Sequence, residues 1–194
     1  MSGVYLTNDC LKLEQDKPVS ITSVFEGKVT AANWPNDLSE ITLLELKTTA
    51  LTVFGIPANE LRIEINDENV NRVLFHNINS YWHKWINRHS PFSYRYIILL
   101  IFPWATEWSV LGVARQLYTV KTGQITSKLA VGYYALGILP EKYHPILREA
   151  INIRKTCKQL TIKLSVKRAR QTIECVNFII DSFNYIYKAG NDGM

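Results

Sequence analysis

Cysteine is scarce in this sequence and badly arranged for chemistry. Cys10, Cys157 and Cys175 are odd in number and widely spaced, with no C-x-x-C pair. That pattern argues against a disulfide framework and against a zinc site, and fits reduced thiols. Long apolar runs are missing too. The most apolar stretch, "IILLIF" (Ile97–Phe102), is far too short to cross a bilayer and stops at Pro103. It reads as a buried segment. The opening "MSGVYLTNDC" has no basic stretch followed by a long apolar core, so it does not read as a secretory signal. These absences lead us to expect a cytoplasmic chain with no membrane partner. There is no internal repeat. The four histidines, His76, His83, His89 and His144, fall at no metal-ligand spacing, and His144 before Pro145 reads as a surface residue. No G-x-S-x-G, H-E-x-x-H or phosphate-loop glycine pattern is present.

What is there describes an ordinary globular chain with a basic bias. At 47% hydrophobic and 20% charged over 194 residues, it can bury a sizeable core as one domain or two small ones. The net charge of +5 permits an anionic partner: nucleotide, nucleic acid or acidic surface. The first third reads as strand and turn. "GVYL" (Gly3–Leu6) is a short strand, and Val19–Asn33 reads as a hairpin with Glu26-Gly27-Lys28 at its tip. "NWPND" (Asn33–Asp37) is turn chemistry. Helical periodicity follows over Ile41–Phe54, Glu68–Arg88, Glu107–Lys121, Thr126–Leu139, Glu141–Lys155 and Ser165–Lys188. Ser39 or Asp37, Asn66 or Asp67, and Thr126-Ser127 are the candidate caps. One short strand plus one hairpin makes a poor sheet, so the β part reads as the remainder of a larger one. The fold class expected is α+β, mostly α: a helical bundle preceded by a small antiparallel β piece.

Two cations draw attention. Arg115 shares a face of its helix with the small residues Gly112 and Thr119, an arrangement that leaves room beside a guanidinium. Lys128 stands in the first turn of the next helix, where the helix dipole opposes a cation by about 0.3–1 kcal/mol. A phosphate bound at that helix start would remove the cost. Together, Arg115 and Lys128 read as a phosphate clamp; the plainer alternative is a solvated arginine beside a close helix contact and an exposed lysine. The stretch Arg148–Arg170 carries eight Lys and Arg against the single acid Glu149. Such a run is usually a solvated face; nucleotide phosphate comes next, and nucleic acid last, because the interleaved aromatics of a single-strand binder are absent. Tyr81, Trp82, Trp85, Trp104 and Trp108 gather around two helices with Glu107 beside them. Such stripes are ordinarily core. Tryptophan faces with a carboxylate also suit a cationic, sugar-like ligand, which makes Trp85, Trp104, Glu107 and Trp108 candidate substrate residues.

The segment Trp108–Arg154, "WSVLGVARQLYTVKTGQITSKLAVGYYALGILPEKYHPILREAINIR", resembles the C-terminal helical domain of the aminoglycoside nucleotidyltransferases, of which streptomycin/spectinomycin adenylyltransferases are the best-known members. The motifs are R-x-x-Y-T, T-G-x-I-x-S-K, A…L-P and Y-x-P-I-L-x-E-A, in that order. "LLELKTTALTVFGIP" (Leu43–Pro57) resembles the junction before that domain. The resemblance implies remnant strands of the nucleotidyltransferase domain over 1–36 and the helical domain over 37–194. It implies ATP-dependent adenylyl transfer to an aminoglycoside hydroxyl, hence antibiotic resistance, with ATP and Mg²⁺ as cofactors of full-length relatives. It assigns Arg115 and Lys128 to ATP, with Arg154 near a third nucleotide contact. Ala105 and Thr106 stand near the place of the family's drug-binding acid, and Glu107 close by. The family's metal signature, a Gly-Ser pair followed by D-x-D, is absent; the nearest pattern is Glu14-Gln15-Asp16. No catalytic residue or metal ligand is therefore assigned. We expect a truncated or inactive relative with negligible transfer of its own. The rivals are a basic helical module for nucleic acid or protein, and an oligomer or partner that completes the sheet.

Overall fold

The computed structural model describes residues 3–5, 20–25, 28–33, 39–52, 56–57, 60–61, 63–89, 91, 93–156 and 162–191. Cys10, Cys157, Lys158, Glu14-Gln15-Asp16, Gly55, most of "NWPND", and Glu26 and Gly27 of the expected hairpin tip lie outside the described residues. The protein is mostly helical, as its periodicity predicts. It divides into two compact units, Met1–Val73 and Leu74–Met194.

In the first unit, β1 (Gly3–Tyr5), β2 (Ser20–Phe25) and β3 (Lys28–Asn33) form an antiparallel sheet in the order β1-β2-β3. Gly3 faces Val24, and Ser20 faces Asn33. Helix α1 (Glu40–Thr49) starts at Ser39, whose side chain accepts from the Thr42 amide. It stops five residues before the expected Phe54. Thr48 and Thr49 turn their hydroxyls back onto the Leu44 and Glu45 carbonyls, a local bond that competes with further helix. Among the described residues of the first unit, the buried apolar side chains are Leu43 and Leu44 of α1 and, beyond it, Ile63 and Val70.

Helix α2 (Asp67–Asn77) begins at Asn66, whose carboxamide accepts from the Glu68 and Asn69 amides. The single helix expected to Arg88 is interrupted by a π turn, Ile78–Trp82, before α3 (His83–Arg88). The "IILLIF" stretch is a helix, α4 (Tyr94–Ile101), capped by Ser93. It is not the buried segment expected: Leu99 is buried, but Ile97 is exposed. An eight-residue helix packing one face needs only a narrow apolar stripe, and this one is apolar beyond it. Pro103 ends α4 and opens α5 (Pro103–Thr122), since proline at the first helical position loses no hydrogen bond. The chain bends by 99° there. Among the described residues no single helix is long and apolar enough to cross a membrane.

Helix α5 is the axis of the second unit. It packs against α6 (Lys128–Ile138), α7 (His144–Thr156) and α8 (Val166–Asn191). Its Val110, Leu111, Val113, Ala114 and Leu117 are all buried, as are Ile146, Leu147 and Ala150 of α7 and Val176, Ile179 and Phe183 of α8. A helix buried on several sides is apolar around most of its circumference. Gly123 closes α5 with φ of 67°, the left-handed conformation glycine adopts without strain. Gly132 lets α6 approach: a Cβ there would stand 2.6 Å from Ile151 Cγ1. His144 is not a free surface residue. Its Nε2 lies 3.1 Å from the Leu139 carbonyl, where it donates to a group left over at the end of α6.

Candidate functional site

The site grows out of one anomaly. Glu107 is the sole acid on α5, one turn into the helix, and only 3% exposed. A carboxylate so buried requires cations. Two reach it from two other helices. Lys128 Nζ lies 3.4 Å from Glu107 Oε1, and Arg154 Nη1 lies 3.8 Å from the same oxygen. Lys128 is the first residue of α6, behind the cap Ser127, whose hydroxyl accepts from the Ala130 amide. Arg154 belongs to the last turn of α7, where the helix dipole favours a cation. The lysine that the α6 dipole opposes is thus answered by a carboxylate of its own chain.

The cluster is loose. Both separations exceed the roughly 2.7–2.9 Å of a charge-assisted hydrogen bond, and Glu107 Oε1 has no hydrogen-bond partner among the described residues. The cations keep part of their surface in solvent: the Lys128 side chain is 21% exposed and that of Arg154 is 44% exposed. One buried negative charge between two partly exposed positive ones leaves a net positive spot at the start of α6. The free amides of the first helical turn add to it.

Arg115 is half-buried, eight residues further along α5, or about 12 Å along the axis. Its carbonyl accepts from the buried Thr119 hydroxyl. The room expected beside it at Gly112 is taken. The Trp82 indole packs there, 3.1 Å from where a glycine Cβ would be. The small residue serves helix packing rather than an open pocket.

The aromatic cluster separates into core and rim. Trp82 and Trp85 are buried, and Trp85 stacks on His89 at 4.1 Å between centroids. The ring surface of Trp85 is used by the protein itself. Trp108 is half-buried, in contact with Trp82 at 5.2 Å and Trp85 at 6.4 Å. Tyr81 meets Trp108 edge-on, with 46% of its surface exposed. Trp104, one turn before Trp108, is also exposed. Accessible aromatic area in this cluster therefore belongs to Trp104 and Trp108, in the first two turns of α5, and to Tyr81 of the π turn. Tyr81 escaped the sequence reading as a rim residue because helical spacing alone does not reveal the π turn that carries it.

The basic run Arg148–Arg170 is not one solvated face. Arg168 is 1% exposed. Its Nη2 donates to the carbonyls of Leu100 at 2.8 Å and Lys163 at 2.6 Å, and Nη1 lies 3.7 Å from Glu149. Burial holds its pKa below the ordinary arginine value, with Glu149 pulling the other way. Arg170 pairs with Glu174, and Lys155 lies over the Tyr133 ring. Among the described residues no group of three or more His, Cys, Asp or Glu could hold a metal ion.

The larger unit is thus a helical bundle in which cations from α6 and α7 converge on one acid of the central helix. The family model of the aminoglycoside adenylyltransferase C-terminal domain matches residues 60–181, and the chain belongs to that family. Among curated proteins none matches it.

Proposed function

We propose that this chain forms the helical side of an aminoglycoside adenylyltransferase site: Lys128, Arg154 and Arg115 receive the phosphates of ATP, Trp104 and Trp108 receive a cationic sugar, and the buried Glu107 holds Lys128 and Arg154 rather than the sugar. The observation that supports it best is the convergence of Lys128 and Arg154, from two helices, at a capped helix start. Two cations there suit a polyphosphate. The accessible aromatic rim of Trp104 and Trp108 suits the cationic face of an aminocyclitol or amino sugar. Mg²⁺, which the family's chemistry uses with ATP, has no matching donor set: the 194 residues contain no D-x-D pair. We therefore infer binding without transfer for this chain on its own, in the cytoplasm and without a membrane or nucleic-acid partner.

Calorimetric titration with ATP tests the binding reading. Lys128→Met and Arg154→Met should each weaken ATP by about 5- to 20-fold, the loss of one charge-assisted contact. Wild-type affinity in both variants would overturn it. A radiolabelled ATP assay with streptomycin and spectinomycin tests the second half. No labelled drug is expected, and sustained turnover would sink the inactive reading.

A further inference from the structure

The Glu107 carboxylate occupies the place of an anion between Lys128 and Arg154, and we propose that it acts as a charge filter: it competes with incoming phosphate for these two cations, so that polyphosphates bind and single phosphates or sulfate do not. This rests on the phosphate-site reading above and adds to it a residue that sets ligand charge.

Three observations carry it. First, both cations face the same oxygen, Oε1, at 3.4 and 3.8 Å, so they share one negative charge. Second, that oxygen is buried and accepts no hydrogen bond among the described residues. At Oε1 the carboxylate is held by charge and not by a hydrogen bond. Third, the cations remain partly exposed while the acid does not. A ligand can reach Lys128 and Arg154 from solvent without displacing the acid.

A small anion arriving there gains two cations but meets the negative charge behind them. The net local charge it experiences is about +1 rather than +2. Moreover, drawing the cations outward strands a carboxylate in a buried place, which is costly. A single phosphate cannot offset that. A chain of phosphates can, because it adds contacts to the first-turn amides of α6 and to cations further along the surface. Glu107 thus acts through Lys128 and Arg154, and need not touch the ligand.

The experiment is calorimetric titration of the full chain with inorganic tripolyphosphate and, separately, inorganic phosphate, at low salt. Wild type should bind tripolyphosphate and show no heat with phosphate. Glu107→Gln should bind tripolyphosphate about 5- to 10-fold tighter and acquire measurable phosphate binding, the effect of removing one charge a few ångströms away in a partly solvated site. Glu107→Leu, which fills the buried space without polarity, is the second variant. Either variant that keeps the wild-type near-UV circular dichroism decides the matter. Equal or weaker tripolyphosphate binding in a folded variant overturns the filter. If instead Lys128→Met and Arg154→Met leave wild-type tripolyphosphate binding untouched, the phosphate-site reading itself fails, whatever the Glu107 variants do.

Discussion

His89 caps the end of α3 twice over. Its amide and its ring Nδ1 both donate to the Trp85 carbonyl, the ring at 2.7 Å. The ring then lies stacked on Trp85 and only 7% exposed. Burial holds its pKa below the ordinary 6.5; the hydrogen bond to the Trp85 carbonyl works against the shift, and the Arg95 charge adds a little to it. The folded state therefore binds this proton less readily than the unfolded chain. Its stabilising contribution is whole above about pH 6.5 and declines as the pH falls below that value. Thermal unfolding between pH 7 and pH 5 should show a steeper loss of Tm in wild type than in His89→Gln. Cys175 offers a second check at this scale. It is fully buried, and burial pushes its thiol up to about 12. With so little thiolate, it should stay unmodified by a thiol reagent until the protein unfolds, as intact-mass measurement would show. The lysine of α6 was legible as an anomaly from position alone. What position could not supply was its partner, since Glu107 stands 21 residues earlier and only the packing of α6 on α5 brings the two together.

At the scale of elements, caps and glycines were the most readable features. Ser39, Asn66 and Ser127 each sit where the sequence put a helix start, because a side-chain oxygen at that position satisfies an amide that the helix cannot. Gly112 was open between room for a ligand and a close helix contact, because a small residue on a helix face looks the same whether a ligand or an indole fills the gap; the indole of Trp82 fills it. Gly132 gives the sharper test. An alanine there meets Ile151 Cγ1 at 2.6 Å, with Ile151 Cδ1 and Leu111 Cδ2 both at 3.2 Å. Overpacking costs about 1–3 kcal/mol, against a gain of about 1 kcal/mol in helix propensity. Gly132→Ala should lower the unfolding free energy read from urea denaturation by the balance, up to about 2 kcal/mol. Adding Ile151→Val removes one of the colliding methyl groups and should recover part of the loss, a coupling that a double-mutant cycle reads directly.

For the molecule as a whole, the class and the family were legible because short motifs survive in order from Trp108 to Arg154, within the stretch the family model matches. The long-range ties were not. Arg168 sat in a run of cations that looked solvated, and nothing local marks it as the buried member. Yet it joins three remote parts of the helical unit: the end of α4 through Leu100, the segment before α8 through Lys163, and α7 through Glu149. The amides of Lys163 and Ser165 donate to the Ile101 and Leu100 carbonyls alongside it. Arg168→Met keeps much of the volume but removes the donor to the Leu99, Leu100 and Lys163 carbonyls and the cation beside Glu149. It should cost about 3–5 kcal/mol of unfolding free energy, whereas the exposed neighbour Arg170→Met should stay within about 0.5 kcal/mol. Denaturant unfolding followed by far-UV circular dichroism compares the two.

The π turn at Ile78–Trp82 has a bearing on all of this. Leu74, Ile78, Trp82 and Trp85 are buried along one seam, yet two of the three steps between them are four residues long. On a regular helix each such step drifts by about 40°, so Trp82 would stand about 80° round from Leu74. The wider turn takes up that drift, as a vernier takes up the mismatch between two scales. The indole that fills the notch at Gly112 and the tyrosine at the rim are therefore aimed by a counting irregularity: the turn holds one residue more than a regular helix would place between its flanks.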